Sequence, residues 1–492
     1  MRIDFVGHAT LLIRHVGLAL LSDPWWSGPA YRDQWYPYPI PVPERYDLGA
    51  VDAVYISHSH EDHLHAPTLR ELLKAAPDAE AIIPLRPETQ MRDYLRRIGF
   101  RRIREVASGM PCVVRKGGTS MRLSLLTHVD DSLLAVEAGG EVLLNLNDAL
   151  HSSRREIIAE YCRVLRGRFP RIDYLFCGFG GASYFPNCVH VSGKDDVAVA
   201  RARERWFLQN FGLIAQLLQP GLAFPFAAHF VLPDERNWWI SETRLRMEAP
   251  STTLRSLAPE GLFYDLQPGD FVQDGVVHAS GRPVRDLDSI RAEVLAHYSQ
   301  PPARPAIDEA AFDDLVASIR ERVGARPTPT RFDAIIVLSD FERRVIHVSG
   351  STTGARVEAL ERAALDAQDP QVVMETRSDL VRSTLRSPFG KDLISIGYGA
   401  QFQVRSTADL DAAPHERILQ LLAPSQPRWR QHLRERPWRT LRYLVGDPSM
   451  RYASAQLALR RTRPLEKRAV DKRAVTHPAP YELRDWVAVP ES

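Results

Sequence analysis

The chain has 492 residues, 44% of them apolar, which is enough for two or three domains with sizeable cores. A formal net charge of +2 excludes a global pull toward nucleic acid or membrane surfaces, and four cysteines without framework spacing exclude a disulfide scaffold and suggest a reducing compartment. No apolar run reaches the roughly 18 residues of a spanning helix, and a strand-like start charged at Arg2 and Asp4 does not read as a signal peptide, so a soluble, cytoplasmic enzyme is expected.

Residues 2–13 and 18–24 predict two short strands joined by a turn, with Asp23 at the end of the second and His8 near the pocket. Tyr31 to Pro43 is rich in proline and aromatics and reads as a loop that either packs or covers a pocket. Trp25, Trp26, Trp35, Tyr36, Tyr38, Trp238 and Trp239 could rim that pocket or simply pack, and Arg32 or Arg45 could meet an anionic group.

Residues 51–56 form an apolar, β-branched run that predicts a buried strand. Directly after it comes Ser57-His58-Ser59-His60-Glu61-Asp62-His63, and then a helix-spaced segment, 67–76, with Pro67 suited to its first turn. Three imidazoles and a carboxylate thus share one strand-to-helix loop. Neutral imidazole and carboxylate bind borderline divalent metals such as zinc, iron or manganese.

Farther on, Leu125 to Ser132 reads as a strand carrying His128. A hairpin about Gly139-Gly140 returns the chain to Asn145-Leu146-Asn147-Asp148, with His151 three residues later. Residues 200–220 predict a helix, and 222–228 a strand ending at His229. His190 falls in a loop rich in Gly, Asn and Ser. Residues 262–264 and 271–272 read as short strands.

The proline-rich 299–306 segment is expected to link residues 1–298 to a small α+β unit, 307–410. That unit predicts a helix over 307–323, strands over 332–338 and 344–348, helices over 357–367 and 380–385, and strands over 393–398 and 400–404. A tail, 411–492, follows. In it Trp429, Trp438, Tyr443 and Tyr452 alternate with Arg428, Arg430, Arg434, Arg436, Arg439 and Arg442, as in a helix docked on the body or a surface for anionic polymers. The connector from Arg460 to Arg473 is expected to be solvated. The chain shows no internal repeat, phosphate loop, nucleophile elbow or dinucleotide fingerprint.

The His58-x-His60-x-Asp62-His63 pattern resembles the signature of the metallo-β-lactamase superfamily. The resemblance implies an α/β fold, an αββα sandwich with its site at one edge of two sheets, followed here by the smaller α+β unit and a helical basic tail. It also implies two divalent ions, zinc or iron, with manganese a third choice. His58, His60 and His128 would hold the first ion, Asp62 and His63 the second, Asp148 would bridge them, and His229, in preference to His190, would complete the set. Asp131-Ser132, residues 145–148, 180–188 and 225–227 are similar to the corresponding domain of the CMP-N-acetylneuraminate hydroxylase type. Hydroxylating members of that type carry a Rieske domain. The paired Cys-x-His segments of such a centre are not found here, where Cys188-Val189-His190 stands alone. The 307–410 unit resembles sterol-carrier-like domains by architecture.

Two chemistries follow. Hydrolysis of a small ester, lactone, amide or phosphodiester would use a metal-bound hydroxide, oriented by Asp62 or Asp148, with His190 or His151 protonating the leaving group. A di-iron centre would instead use O2, with electrons from a partner protein or from the substrate. Either way the partner is a small molecule rather than a membrane or nucleic acid, and the chain could form a homo-oligomer.

Overall fold

A computed structural model describes residues 1–445 except 129–130, 282–285, 299–303, 325–331, 352–353, 388, 407–408, 410–412 and 425–428. Most of the 299–306 linker, Arg428, Tyr452 and the 460–473 connector lie outside the described residues.

Two sheets face each other across the amino-terminal part. The first has eight strands, in the spatial order Val276–His278, Phe271–Gln273, Arg2–Gly7, Thr10–His15, Leu18–Ser22, Ala53–Tyr55, Glu80–Pro84 and Arg102–Val106. The second has six, in the order Leu222–Phe226, Tyr174–Gly178, Glu141–Asn145, Asp131–Ala138, Thr119–His128 and Pro111–Lys116. Phe5, Leu11, Ile13, Tyr55 and Ile82 of the first sheet meet Leu123, Leu134, Phe176 and Phe224 of the second in one core. Helices cover both outer faces. Ala66–Ala75 and Gln90–Ile98 bury Leu69, Leu72, Leu95 and Ile98 against the first sheet. Arg155–Arg168 and Asp196–Leu218 bury Ile158, Tyr161, Phe211 and Ile214 against the second. The predicted αββα sandwich is the observed one.

The sheet topology decides where the site must be. Leu18–Ser22, Ala53–Tyr55 and Glu80–Pro84 run parallel in one sheet, and Glu141–Asn145, Tyr174–Gly178 and Leu222–Phe226 run parallel in the other. Parallel neighbours leave the sheet at the same edge, so the loops that follow them converge there.

A third, six-stranded sheet belongs mainly to the carboxy-terminal unit, in the order Val189–His190, Ala400–Val404, Val372–Thr376, Phe332–Leu338, Arg344–Ser351 and Gly354–Glu361. Its first strand comes from the amino-terminal part. Packing also crosses between the two parts, with Trp25, Trp35 and Phe230 in one cluster with Phe312, Ile336 and Phe402.

Several sequence expectations change here. Residues 357–367 have helical spacing, yet Gly354–Glu361 is a strand and only Arg362–Ala367 coils, as a 3-10 turn. Eight register pairs with Arg344–Ser351 override the local propensity. The strand expected over 393–398 is replaced by the short helix Asp392–Ser395. Residues 262–264 make only an isolated bridge, Ala223 to Phe263. In the tail, Arg439 reaches Glu105 and the Glu88 carbonyl, whereas the neighbouring Trp438 is 79% exposed, so an arginine rather than that tryptophan does the docking.

Candidate metal centre

Each loop at the converging edge contributes a polar side chain. Four residues just past strand ends have left-handed backbone: His8 (φ 46°), Asp23 (39°) and Asn147 (54°), which are polar, and Ala227 (56°). Such conformations cost non-glycine residues roughly 1–3 kcal/mol and persist where the surroundings over-determine them. Here they turn the chain sharply so that side chains lie across the rim. Gly178, at the end of Tyr174–Gly178, permits a further close approach, because a Cβ there would lie 2.9 Å from the His151 ring.

His58, His60 and Asp148 bring one donor atom each within 4.8 Å of one another, and so do His8, Asp62 and His63. His63 joins the two groups. Its Nε2 is 3.2 Å from Asp62 Oδ2 and 3.4 Å from Asp148 Oδ2, and its Nδ1 is 3.3 Å from Asp23 Oδ2. His58 is held by Ser57 Oγ at 2.9 Å from Nδ1, while its Nε2 lies 2.7 Å from His60 Nδ1 and 3.5 Å from Asp131 Oδ1. Asp62 is held at both oxygens, by the Tyr31 hydroxyl at 2.5 Å and by His8 Nε2 at 3.0 Å. Asp23 accepts from the Ser57 N–H at 2.8 Å and from Asn147 Nδ2. It therefore caps a strand and orients a ligand at once.

The electrostatics match a cation site. Burial, with His63 and His60 nearby, holds His58 well below the ordinary imidazole range, in the neutral form that binds metal. Burial also opposes charge on His63, but the carboxylates of Asp62 and Asp148 overcome it and raise its pKa well above the usual value. Burial would raise Asp62 and Asp148 too; the His63 charge outweighs it and lowers both. A divalent cation would take the place of that proton. Asp148 Oδ1 is buried without a hydrogen-bond partner, as expected of an atom whose proper partner is an ion. The residues therefore fit two metal ions.

Other expected residues sit apart from these two groups. His128 Nε2 bonds Ser153 Oγ at 2.9 Å, and its ring stands edge-on to Tyr161. His229 packs between Phe5 and Phe179. His190 lies in the third sheet, bonded to Asp196 at 2.7 Å and Gln401 at 2.8 Å. His151 bonds the Gly180 carbonyl at 2.9 Å, and burial keeps its pKa low beside Asp148. Trp25 and Trp35 are fully buried, so they pack rather than rim a pocket. His8 and Tyr31 join the centre from positions that sequence reasoning did not count among the ligands. The single strand expected over 2–13 is broken by a turn at His8-Ala9, between Arg2–Gly7 and Thr10–His15, which places His8 at the sheet edge, whereas nothing local marked Tyr31.

His229 also lines a cavity of about 950 Å³, together with Tyr38, Phe179, Glu204, Leu208 and Arg244. None of the six donor residues lines it; Ala227, two residues before His229, ties this segment to the centre by donating to the His8 carbonyl at 2.9 Å. Burial pushes the Glu204 carboxyl up, against the attraction of Arg244 and Arg203. A raised folded-state pKa gives stability that is present at low pH and drains as pH rises. Glu204→Gln should therefore raise Tm at pH 8 and leave it unchanged at pH 4. Equal shifts at both values, read by differential scanning fluorimetry, would contradict this assignment.

Residues 2–135 match the profile of the Beta-lactamase superfamily domain. The chain carries a β-lactamase superfamily domain. By this fold and its donor set it is a metal-dependent enzyme of the metallo-β-lactamase fold. It is 30% identical over 259 residues to the cytidine monophosphate-N-acetylneuraminic acid hydroxylase of Danio rerio, covering 50% of this chain and 41% of that one. It is 29% identical over 226 residues to a Mycobacterium tuberculosis protein named as a Rieske 2Fe-2S iron-sulfur protein, covering 44% and 42%. The matched stretch thus spans about two fifths of those relatives. Among solved structures, CmlA, a diiron β-hydroxylase from Streptomyces venezuelae, matches at 18% identity and a TM-score of 0.38, covering 55% of this chain and 54% of its own. Among the described residues, no helix is long and apolar enough to cross a membrane.

Proposed function

We propose that this chain is an O2-dependent oxidising enzyme with a di-iron centre, acting on a small organic molecule and fed by a separate electron donor. The carrying observation is the similarity over 259 residues to a relative named as a hydroxylase. The donor set supports it, because both groups offer imidazole and carboxylate with no thiolate, a combination suited to iron. Hydroxylation balances as R–H plus O2 plus two electrons and two protons giving R–OH and water, so a two-electron reductant, such as one acting through an iron–sulfur or flavin centre, is required.

His58, His60 and Asp148 would hold one ion and His8, Asp62 and His63 the other, with iron supplying O2 activation and one-electron chemistry. The protein's own residues do the rest. Ser57 and Asp23 set the rings of His58 and His63 through hydrogen-bonding and ionic contacts. His151 holds or releases a proton beside Asp148. The cavity takes the body of the substrate, its apolar walls excluding water while Arg244 and His229 orient polar groups. His128, His229 and His190 remain candidates for ligand or proton-transfer roles once substrate is bound.

Hydrolysis is the second reading, favoured by the β-lactamase superfamily domain itself. The same cluster would then hold zinc or manganese and act on an ester, lactone, amide or phosphodiester. Elemental analysis of protein purified without added metal, with O2 uptake followed during substrate screening, separates the two. Two irons per chain with O2 consumption is the expected result. Zinc or manganese and no uptake would replace it with hydrolysis, and a chain that binds no metal would remove both.

A further inference from the structure

The loop that carries Tyr31 is an unusual piece of chain. Tyr31, Arg32 and Asp33 are three consecutive left-handed residues, with φ of 54°, 55° and 69°. None is glycine, so the turn is costly and must be held from outside. Its bridge from Ala30 to Trp35 closes the base of the loop. The amino-terminal part holds it through the Glu61 carboxylate, which accepts from the Tyr31 N–H, and through His65 Nε2, 3.2 Å from the Pro29 carbonyl.

Further tethers come from the carboxy-terminal unit and from Arg304 in the linker that precedes it. Gln34 Nε2 donates to the Leu393 carbonyl at 2.9 Å. Gly397 packs so closely that a Cβ there would lie 2.8 Å from Tyr31 Cβ. Asp379 pairs with Arg32 at 3.2 Å and with Arg304 at 2.8 Å, and Arg304 reaches Asp33 at 2.6 Å. Arg377 bonds Asp379 at 3.0 Å and approaches the Arg32 carbonyl at 3.4 Å. Single exposed ion pairs contribute little, but Asp379 gathers three arginines around one turn. At the far end of this construction the buried Tyr31 hydroxyl donates to Asp62 Oδ1 at 2.5 Å. Asp62 Oδ2 is thereby left to His8 and His63.

We infer that Tyr31 is a positioning residue of the metal centre, fixing the Asp62 carboxylate, and that the carboxy-terminal unit acts as a clamp that holds Tyr31 in place. The inference rests on the metal-centre reading, to which it adds a task for the second unit. The tyrosine hydroxyl selects which oxygen of Asp62 faces the ion. The clamp keeps the strained turn from relaxing, which would withdraw the hydroxyl. Hydrogen-bonding partners of metal ligands typically contribute about 10–100-fold in metal affinity.

The test titrates metal-free protein with Co2+ and follows its visible absorption bands, which report ligand geometry as well as occupancy. Tyr31→Phe removes one oxygen and leaves the ring packing intact. It should weaken Co2+ binding about 10-fold or more and shift the bands, with the Tm of the metal-free protein little changed. Asp379→Ala, far from the ligands, should weaken binding in the same direction. It should have no further effect in the Tyr31→Phe background, because both changes act through one hydroxyl. Wild-type protein that fails to bind Co2+ would defeat the metal-centre reading itself. Wild-type binding with an unchanged affinity and spectrum in Tyr31→Phe would overturn the role of Tyr31 alone. An Asp379→Ala effect that is absent, or equally large in both backgrounds, would overturn the clamp.

Discussion

His63→Ala is expected to abolish metal binding and turnover together. His63 lies between Asp62, Asp148 and Asp23 at 3.2–3.4 Å and so joins both groups of ligands. The loss of affinity should exceed the roughly 10–100-fold typical of an outer-shell partner. The metal-free protein should suffer as well. Removing one partner of a buried ion pair costs about 3–5 kcal/mol, because the remaining charge is left uncompensated, and three buried carboxylates face this ring. Elemental analysis and thermal unfolding of wild type and variant, each with and without a chelator, check the prediction. Chelation should lower the Tm of the wild type and leave His63→Ala unmoved. A variant that keeps two ions and its rate would remove the centre as drawn.

Trp35→Ala should be the most damaging change away from the ligands. Trp35 is fully buried and stacked on Phe230, with ring centroids 3.6 Å apart and planes 3° from parallel. It also touches Tyr31 and Tyr398, at centroid distances of 4.9 and 6.0 Å. It therefore packs where the sandwich meets the carboxy-terminal unit. Its buried indole N–H has no hydrogen-bond partner among the described residues, so packing alone secures it. Truncating a buried tryptophan costs about 3–5 kcal/mol; the lower end applies here, since an unsatisfied donor leaves with the ring. Urea unfolding should show that loss, and Co2+ affinity should fall with it, because Tyr31 loses a wall of its socket. A stability change below about 1 kcal/mol, the ordinary effect of a point substitution, would place the join between the two parts elsewhere.

The metal-binding pattern was legible in one short segment. His58, His60, Asp62 and His63 carry their meaning in spacing, because a strand and a helix separated by only ten residues leave few ways to arrange the loop between them. The apolar, β-branched run of 51–56, the glycine pair at 139–140 and the apolar run of 222–226 are local signals, and the strands formed where they pointed. The reading of 357–367 as helix failed for the complementary reason: its spacing is helical, but cross-strand pairing with Arg344–Ser351 is stronger than propensity.

Tertiary structure alone decided who joins the centre. His8 and Asp23, already expected near the pocket, reach the ligands because two parallel strand ends share an edge, and that sheet order is not contained in any window of sequence. Tyr31 reaches it because residues more than 340 positions away hold its turn in a conformation it would not adopt alone. His190 is drawn off by a strand pairing with Ala400–Val404, which its own loop-like surroundings gave no reason to expect. Ligand type and spacing are properties of a short peptide and can be read from it. Which oxygen of a carboxylate faces an ion depends on long-range packing, and only the folded chain determines that.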